Sequence, residues 1–303
     1  MRVTLIHNPK AGANEQTILD EILAQIHAAG HDVTCQSAQD ADWDQALDVP
    51  ADLVAVAGGD GTVGAVAKLL AGRHIPIAVL PVGTANNISR VLGLVDTTPD
   101  RLIAGWATAR RIAFDTGTVD GPWGATRFIE GFGVGLLARA ITELDAKAEV
   151  AFGRVDDREE KMESGLKRLR DLVETCPAEE LTISLDGQEL SGEYILMEVM
   201  NIQHIGPSLH FAPAADPGDG LLELILVTVE EREKLAEYFS SRLEGGSQPL
   251  AWNAYRGQRL QLRCEASDIH IDDKVWPAHG PVSVKGPMHF TLGVDRHSLE
   301  FLV

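Results

Sequence analysis

In the first third of the chain, short unbroken apolar runs alternate with longer stretches where apolar residues recur every three or four positions. Val3-Thr4-Leu5-Ile6-His7 reads as a strand ending in the turn Asn8-Pro9-Lys10-Ala11-Gly12. From about Glu15 to Ala29, Ile18, Ile22, Leu23 and Ile26 share one helical face, and Gly30 stops the helix. A strand follows over about Asp32 to Gln36, then an acidic loop or helix. Leu53 to Ala57 is almost wholly apolar, as expected of a strand buried on both faces of a parallel sheet. It runs into Gly58-Gly59-Asp60-Gly61-Thr62 and a helix from Val63 to Leu70. Ile75 to Leu80 repeats the event, with Pro81-Val82-Gly83-Thr84-Ala85-Asn86-Asn87 and a short helix to about Leu92. Three such units in succession predict parallel strands with right-handed crossovers. Their loops emerge at one carboxyl edge, where open α/β sheets bind ligands.

Beyond about Arg110 the period changes. Short β-rich runs occupy Ile112 to Phe114, Thr126 to Ile129, Leu181 to Leu185, Tyr194 to Met200 and Leu221 to Val229. Others lie at Arg259 to Arg263, Ile269 to Ile271 and His289 to Leu292, with turn signals such as Asp186-Gly187, Pro217-Gly218-Asp219-Gly220 and Lys285-Gly286-Pro287 between runs. This pattern predicts an antiparallel sandwich. One helix interrupts it, marked by the stripe Met162, Leu166, Leu169 and Val173. The expected fold class is therefore α/β: an N-terminal Rossmann-like parallel-sheet domain over residues 1–109 and a C-terminal antiparallel β-sandwich domain over 110–293.

The glycine turns carry the sharpest chemistry. Glycines after a buried strand let main chain approach a ligand without a Cβ in the way. The helix that follows offers free N–H groups and a partial positive end, a natural seat for phosphate. Asp60 either addresses a magnesium ion or substrate hydroxyl, or caps the helix. Thr84, Asn86 and Asn87 offer neutral hydrogen bonds from the second turn, with an N-cap as the alternative role of the asparagines. Lys10 stands at the same edge, where a cation would meet phosphate.

Composition narrows the classes. The chain has 303 residues, 45% of them hydrophobic, which is enough for two cored domains. Its net charge of -19 disfavours nucleic acid and strong adhesion to anionic membranes. Three dispersed cysteines and ten scattered histidines give no zinc or disulfide pattern. There is no Walker lysine loop, no Gly-x-Gly-x-x-Gly after the first strand and no Gly-x-Ser-x-Gly elbow. With no signal-like or roughly 20-residue apolar stretch, the expected location is cytoplasmic, with peripheral, transient contact at a membrane surface allowed.

In order along the chain, His7-Asn8-Pro9-Lys10-Ala11-Gly12, Gly58 to Thr62, Leu80 to Asn86, Phe211 to Leu222 and Ile269-His270-Ile271-Asp272 resemble the diacylglycerol kinase catalytic family, which includes sphingosine kinases and bacterial lipid kinases. The resemblance spans nearly the whole chain. It implies a final strand, about 294–303, returning to the first domain, and a second domain that takes a lipid. It also implies ATP held by Asn8, Lys10, Gly58, Gly59, Asp60, Gly61, Thr62, Gly83, Thr84 and Asn86. Magnesium would sit at Asp219 with the main chain of Asp216 and Leu221, a loop whose oxygens suit a hard cation. Asp60, Asp272 and Asp273 are the candidate catalytic carboxylates, and the acceptor pocket is expected near Phe128 to Leu137. The chain departs from the family at Gly64-Ala65, where Asn-Glu is usual, at Asn87 in place of Asp, and at Lys274 in place of a proton-accepting Glu. The implied activity is transfer of the ATP γ-phosphoryl group to a lipid hydroxyl. The alternatives are a nucleotide- or lipid-binding relative without catalysis and an NAD kinase-like enzyme for a soluble substrate.

Overall fold

The computed structural model describes residues 1–9, 15–148, 158–249, 252–265, 269–276 and 286–303. The chain divides into two units, one of Met1–Thr116 with Arg296–Val303, the other of the described residues in Gly117–Val155 and Glu159–Asp295.

In the first unit β1 (Arg2–His7), α1 (Glu15–Ala28), β2 (Asp32–Ser37), β3 (Leu53–Gly58), α2 (Asp60–Leu70), β4 (Ile77–Pro81), α3 (Asn87–Val91) and α4 (Pro99–Gly105) follow in order. The strands lie in the order β4-β3-β1-β2, all parallel. Every residue of β3 is buried, which accounts for its unbroken apolar sequence. Leu53, Ala55 and Ala57 share a core with Ile22 and Ile26 of α1 and with Ile103 and Trp106. Helix α2 begins at Asp60, three residues before the expected Val63, because extended Gly59 (φ -97°, ψ -174°) acts as its N-cap. Asp60, Gly61 and Thr62 thus form a first helical turn rather than a loop. Val63, Val66, Ala67 and Leu70 give α2 its buried stripe.

The chain passes between the units within β5 (Arg111–Gly121), whose continuous strand carries the division past residue 109. There follow β6 (Gly124–Phe128), β7 (Gly131–Gly135), α5 (Leu136–Ala148), α6 (Arg158–Val173), β8 (Glu179–Leu185), β9 (Gln188–Glu189), β10 (Gly192–Tyr194) and β11 (Leu196–Met200). After these come β12 (His204–Ile205), β13 (Leu209–His210), β14 (Leu222–Val227), α7 (Arg232–Leu243), β15 (Ala254–Gly257), β16 (Arg259–Cys264), β17 (Ile269–Ile271), β18 (Lys274–Trp276) and β19 (Met288–Leu302). At the far end of β19, Phe301 pairs in parallel with Ile77 of β4.

Two sheets make the second unit a sandwich: β10-β8-β16 with the first half of β19, and β15-β14-β11-β7-β17-β18. Leu260, Leu262 and Cys264 from β16 and Phe290 and Leu292 from β19 meet Phe132, Val134, Met197 and Val199 in its interior. Alternation is clean in β16, where Arg259, Gln261 and Arg263 face outward. In β11 both faces are buried, since Leu196 and Met200 point to a second core with Leu137, Leu166, Leu169 and Phe239. Helices α5, α6 and α7 build that core, where the sequence pattern predicts a single helix over Met162 to Val173. In α7 the only buried residues are Leu235, Tyr238 and Phe239, too short a stripe to stand out from its charged surroundings. The basic cluster of α6 is paired locally: Lys167 with Glu163 at 2.6 Å, Arg168 with Glu143, and Arg170 with Asp171 at 2.8 Å.

Candidate functional site

Adjacent strands β3 and β4 deliver both glycine turns to the carboxyl edge of the parallel sheet, and the turns touch. A Cβ placed on Gly83 would lie 2.1 Å from the Gly59 Cα; one placed on Gly59 would lie 3.0 Å from the Gly83 Cα. Main chain packs on main chain, so neither position has room for a side chain. The ladder runs on into the turns, with the Val82 N–H donating to the Gly58 carbonyl at 3.3 Å.

Side chains lock this arrangement. Asp60 Oδ1 accepts the Ile88 N–H at 2.9 Å, so the carboxylate caps α3 as well as heading α2. The Asn8 N–H donates to the Ala57 carbonyl at 3.0 Å, and its Nδ2 donates to Thr62 Oγ1 at 3.1 Å. Gln39 Nε2 in turn donates to Asn8 Oδ1 at 3.4 Å, which adds a residue that the sequence pattern did not mark. Asn86 takes the left-handed conformation (φ 53°), tolerated by asparagine, and its Nδ2 donates to the Gly83 carbonyl at 3.0 Å. Its Oδ1 is buried with no hydrogen-bond partner. Thr84 is half-buried, Gly61 is exposed and Asn87 is buried at the head of α3. Lys10 lies outside the described residues.

These residues fit a bound polyphosphate. The Gly59 carbonyl takes the N–H groups of Thr62 and Val63, which leaves the partial positive end of α2 at Gly59 to Gly61, and the bare Gly59–Gly83 contact keeps side chains away from it.

In the second unit the expected magnesium loop is built differently. Asp216 Oδ1 accepts the Gly218 N–H at 2.9 Å, and the Asp216 carbonyl accepts the Asp219 N–H at 3.2 Å. Asp219 Oδ1 accepts the Leu221 N–H at 2.8 Å, while its Oδ2 is bonded to the Arg256 guanidinium. Arg256 Nε also lies 2.6 Å from Oε1 of buried Glu223. Burial pushes the Glu223 carboxyl up, and the charge of Arg256 offsets part of that rise. Both Asp219 oxygens are thus engaged, with an arginine cation beside them, in the loop where Asp216, Asp219 and Leu221 are the expected magnesium ligands. Among the described residues no three histidine, cysteine or acidic side chains converge as a metal site.

Asp272 opens the two-residue turn between β17 and β18 in the left-handed conformation (φ 53°) and is buried. Its Oδ1 accepts the N–H groups of Ile129 at 3.0 Å, Glu130 at 2.8 Å and Gly131 at 3.2 Å. A carboxylate filling a nest of successive main-chain amides holds a turn in place. Beneath it, His270 Nδ1 is 2.9 Å from the Asp272 carbonyl, and its Nε2 is 3.1 Å from both Glu198 oxygens. Glu198 on β11 and His270 on β17 both pair with Gly133 of β7, and they meet across the space that a side chain there would fill. A Cβ on Gly133 would lie 2.3 Å from His270 Nε2. Burial lowers the His270 proton affinity, but the charge and hydrogen bonds of Glu198 raise it more, and the net shift is upward. The sequence signal for this pair was a Glu inside Ile195 to Met200 and a His between two isoleucines. Asp273 and Lys274 are exposed. Phe128 to Leu137, where the acceptor pocket is expected, spans the end of β6, all of β7 and the start of α5, and nearly all of it is buried.

Residues 2–119 match the family model described as the diacylglycerol kinase catalytic domain, and residues 139–288 match that of the YegS C-terminal NAD kinase beta sandwich-like domain. A diacylglycerol kinase from Bacillus subtilis (strain 168) is 28% identical over 282 residues, covering 89% of this chain and 82% of that protein. One from Mycobacterium tuberculosis (strain ATCC 25618 / H37Rv) is 27% identical over 227 residues, covering 73% and 70%. Among solved structures, a diacylglycerol kinase from Bacillus anthracis str. Sterne superposes with a TM-score of 0.72 at 21% identity, covering 99% of this chain and 96% of that one. The yeast NADH kinase complexed with NADH shares the fold at a TM-score of 0.56 and 8% identity, covering 100% and 83%.

Proposed function

The chain belongs to the diacylglycerol kinase catalytic family, and from that premise we propose that it transfers the γ-phosphoryl group of ATP to a lipid hydroxyl. The observation that carries this reading is the side-chain-free contact of Gly59 with Gly83 at the head of α2. Bound ATP, with magnesium as counter-ion to its phosphates, supplies the phosphoryl group and a leaving ADP.

The chain's own part is to position and to neutralise, which is most of what phosphoryl transfer asks. Main-chain amides at Gly59 to Gly61 hold phosphate oxygens, and Lys10 is assigned to the same phosphates. Asn8 keeps Thr62 in place, and Asn86 braces the second turn through the Gly83 carbonyl. The acceptor oxygen attacks the γ-phosphorus as the bond to the β,γ-bridging oxygen breaks, and the acceptor proton passes to a carboxylate. Asp60 is assigned that proton: Ile88 fixes its orientation, and it is only half-buried. Asp272 serves by holding the 129–131 turn, and exposed Asp273 beside it is the second candidate for the proton.

A binding-only relative is the competing reading, favoured by the commitment of Asp272 Oδ1 to three main-chain amides. Radiolabelled ATP incubated with a total lipid extract, and in a parallel reaction with NAD, separates the readings. Lipid kinase activity gives a labelled lipid that is lost in Asp60→Ala. Calorimetric ATP binding with no labelled lipid would establish the binding-only relative, and label in NADP a soluble-substrate kinase.

A further inference from the structure

We propose that Arg256 is a built-in replacement for a divalent cation at the 216–221 loop, so that the loop is complete without metal and becomes a cation site only when Arg256 is removed. The inference rests on the second unit alone and is independent of the transfer reaction.

The loop has the makings of a hard-cation site. Asp219 and Glu223 bring carboxylate oxygens to one place, four residues apart in sequence. Two converging carboxylates repel unless a positive charge stands between them. Arg256 is that charge. It lies directly across from Glu223 in the β14–β15 ladder, so the strand register itself delivers the guanidinium to the site. Its Nη2 donates to Asp219 Oδ2 and its Nε lies 2.6 Å from Glu223 Oε1 as an ion pair, so one cation spans both carboxylates as a bridging ion would. The other Asp219 oxygen is already used by the Leu221 N–H at 2.8 Å. A divalent ion draws its oxygen ligands to between roughly 2.0 and 2.6 Å. It could do so here only by expelling the guanidinium from its place between the carboxylates.

Removal of Arg256 reverses the situation. Glu223, whose side chain is 3% exposed, then faces Asp219 with no compensating charge. The vacated space is bordered by carboxylate oxygens, the ligand type that magnesium and calcium take.

The test uses nucleotide-free full-length protein, thermal unfolding with EDTA or with millimolar MgCl2 or CaCl2, and calorimetric titration of each salt. The unaltered protein is expected to unfold at one temperature in all three conditions and to give no binding heat. Arg256→Ala is expected to unfold roughly 5–15 °C lower in EDTA. Either magnesium or calcium should recover at least half of that loss, with one ion bound per chain. Adding Asp219→Asn should abolish the recovery. Arg256→Lys, which keeps the charge but cannot span both carboxylates, serves if the alanine variant does not fold; it should show a smaller loss and a smaller recovery. A drop in the unfolding temperature of the unaltered protein with EDTA, or an Arg256 variant indifferent to both cations, would overturn the proposal.

Discussion

The Cα of Gly59 and the Cα of Gly83 are so close that a methyl group on Gly83 would sit 2.1 Å from its neighbour. Backbone, unlike a flexible side chain, cannot swing aside. Gly83→Ala should therefore push the two turns apart, at a cost of about 1–3 kcal/mol as for other overpacked sites. ATP affinity by calorimetry should fall at least about tenfold, equivalent to roughly 1.4 kcal/mol of lost binding. Unchanged affinity would remove the phosphate from this contact.

Asp60 has two separable duties, and two substitutions divide them. Asp60→Asn keeps an oxygen for the Ile88 N–H, so unfolding should shift little, while turnover drops about 10²-fold or more through loss of the proton acceptor. Asp60→Ala should lose the same turnover and a further 1 kcal/mol or so of stability, the usual worth of a capping bond. Equal activity of Asp60→Asn and the unaltered protein would assign the proton elsewhere.

For Asp272, three buried N–H groups depend on one carboxylate. Asp272→Ala should cost about 3 kcal/mol or more in urea unfolding, since each stranded amide costs on the order of 1–3 kcal/mol. Asp272→Asn, which also tolerates the left-handed backbone, should cost less. Exposed Asp273→Asn should leave the urea midpoint unchanged. A neutral Asp272→Ala would show that the turn is held by other means.

The buried His270–Glu198 pair predicts a pH dependence with a definite sign. The proton affinity of His270 is raised in the folded state, so its contribution to stability is full below the ordinary imidazole value of about 6.5 and is lost as pH rises through the folded value. Thermal unfolding measured from mildly acid to alkaline pH should show stability declining through this range. Glu198→Gln should flatten the decline and lower stability on its acid side. An identical pH profile in that variant would separate the decline from His270.

How far the sequence could be read depended on the distance over which each feature is encoded. Buried strand β3 and the glycine turns after β3 and β4 were legible because each is written in fewer than ten consecutive residues. The start of α2 was misplaced by three residues: Gly-Asp-Gly-Thr carries loop residues, yet with Gly59 as cap it closes directly into a helical turn. Helix α7 escaped because few of its residues reach the core.

By itself, the order of residues determined an α/β first unit, a β-rich second unit and two glycine turns at one sheet edge, since hydrophobic period and turn chemistry act locally. Only the folded chain decided what meets what. Gly83 presses on Gly59, Arg256 reaches Asp219 from 37 residues away, and His270 reaches Glu198 from 72 residues away. Such meetings follow from strand order and register, which arise from packing the whole sheet and leave no mark in the neighbouring sequence.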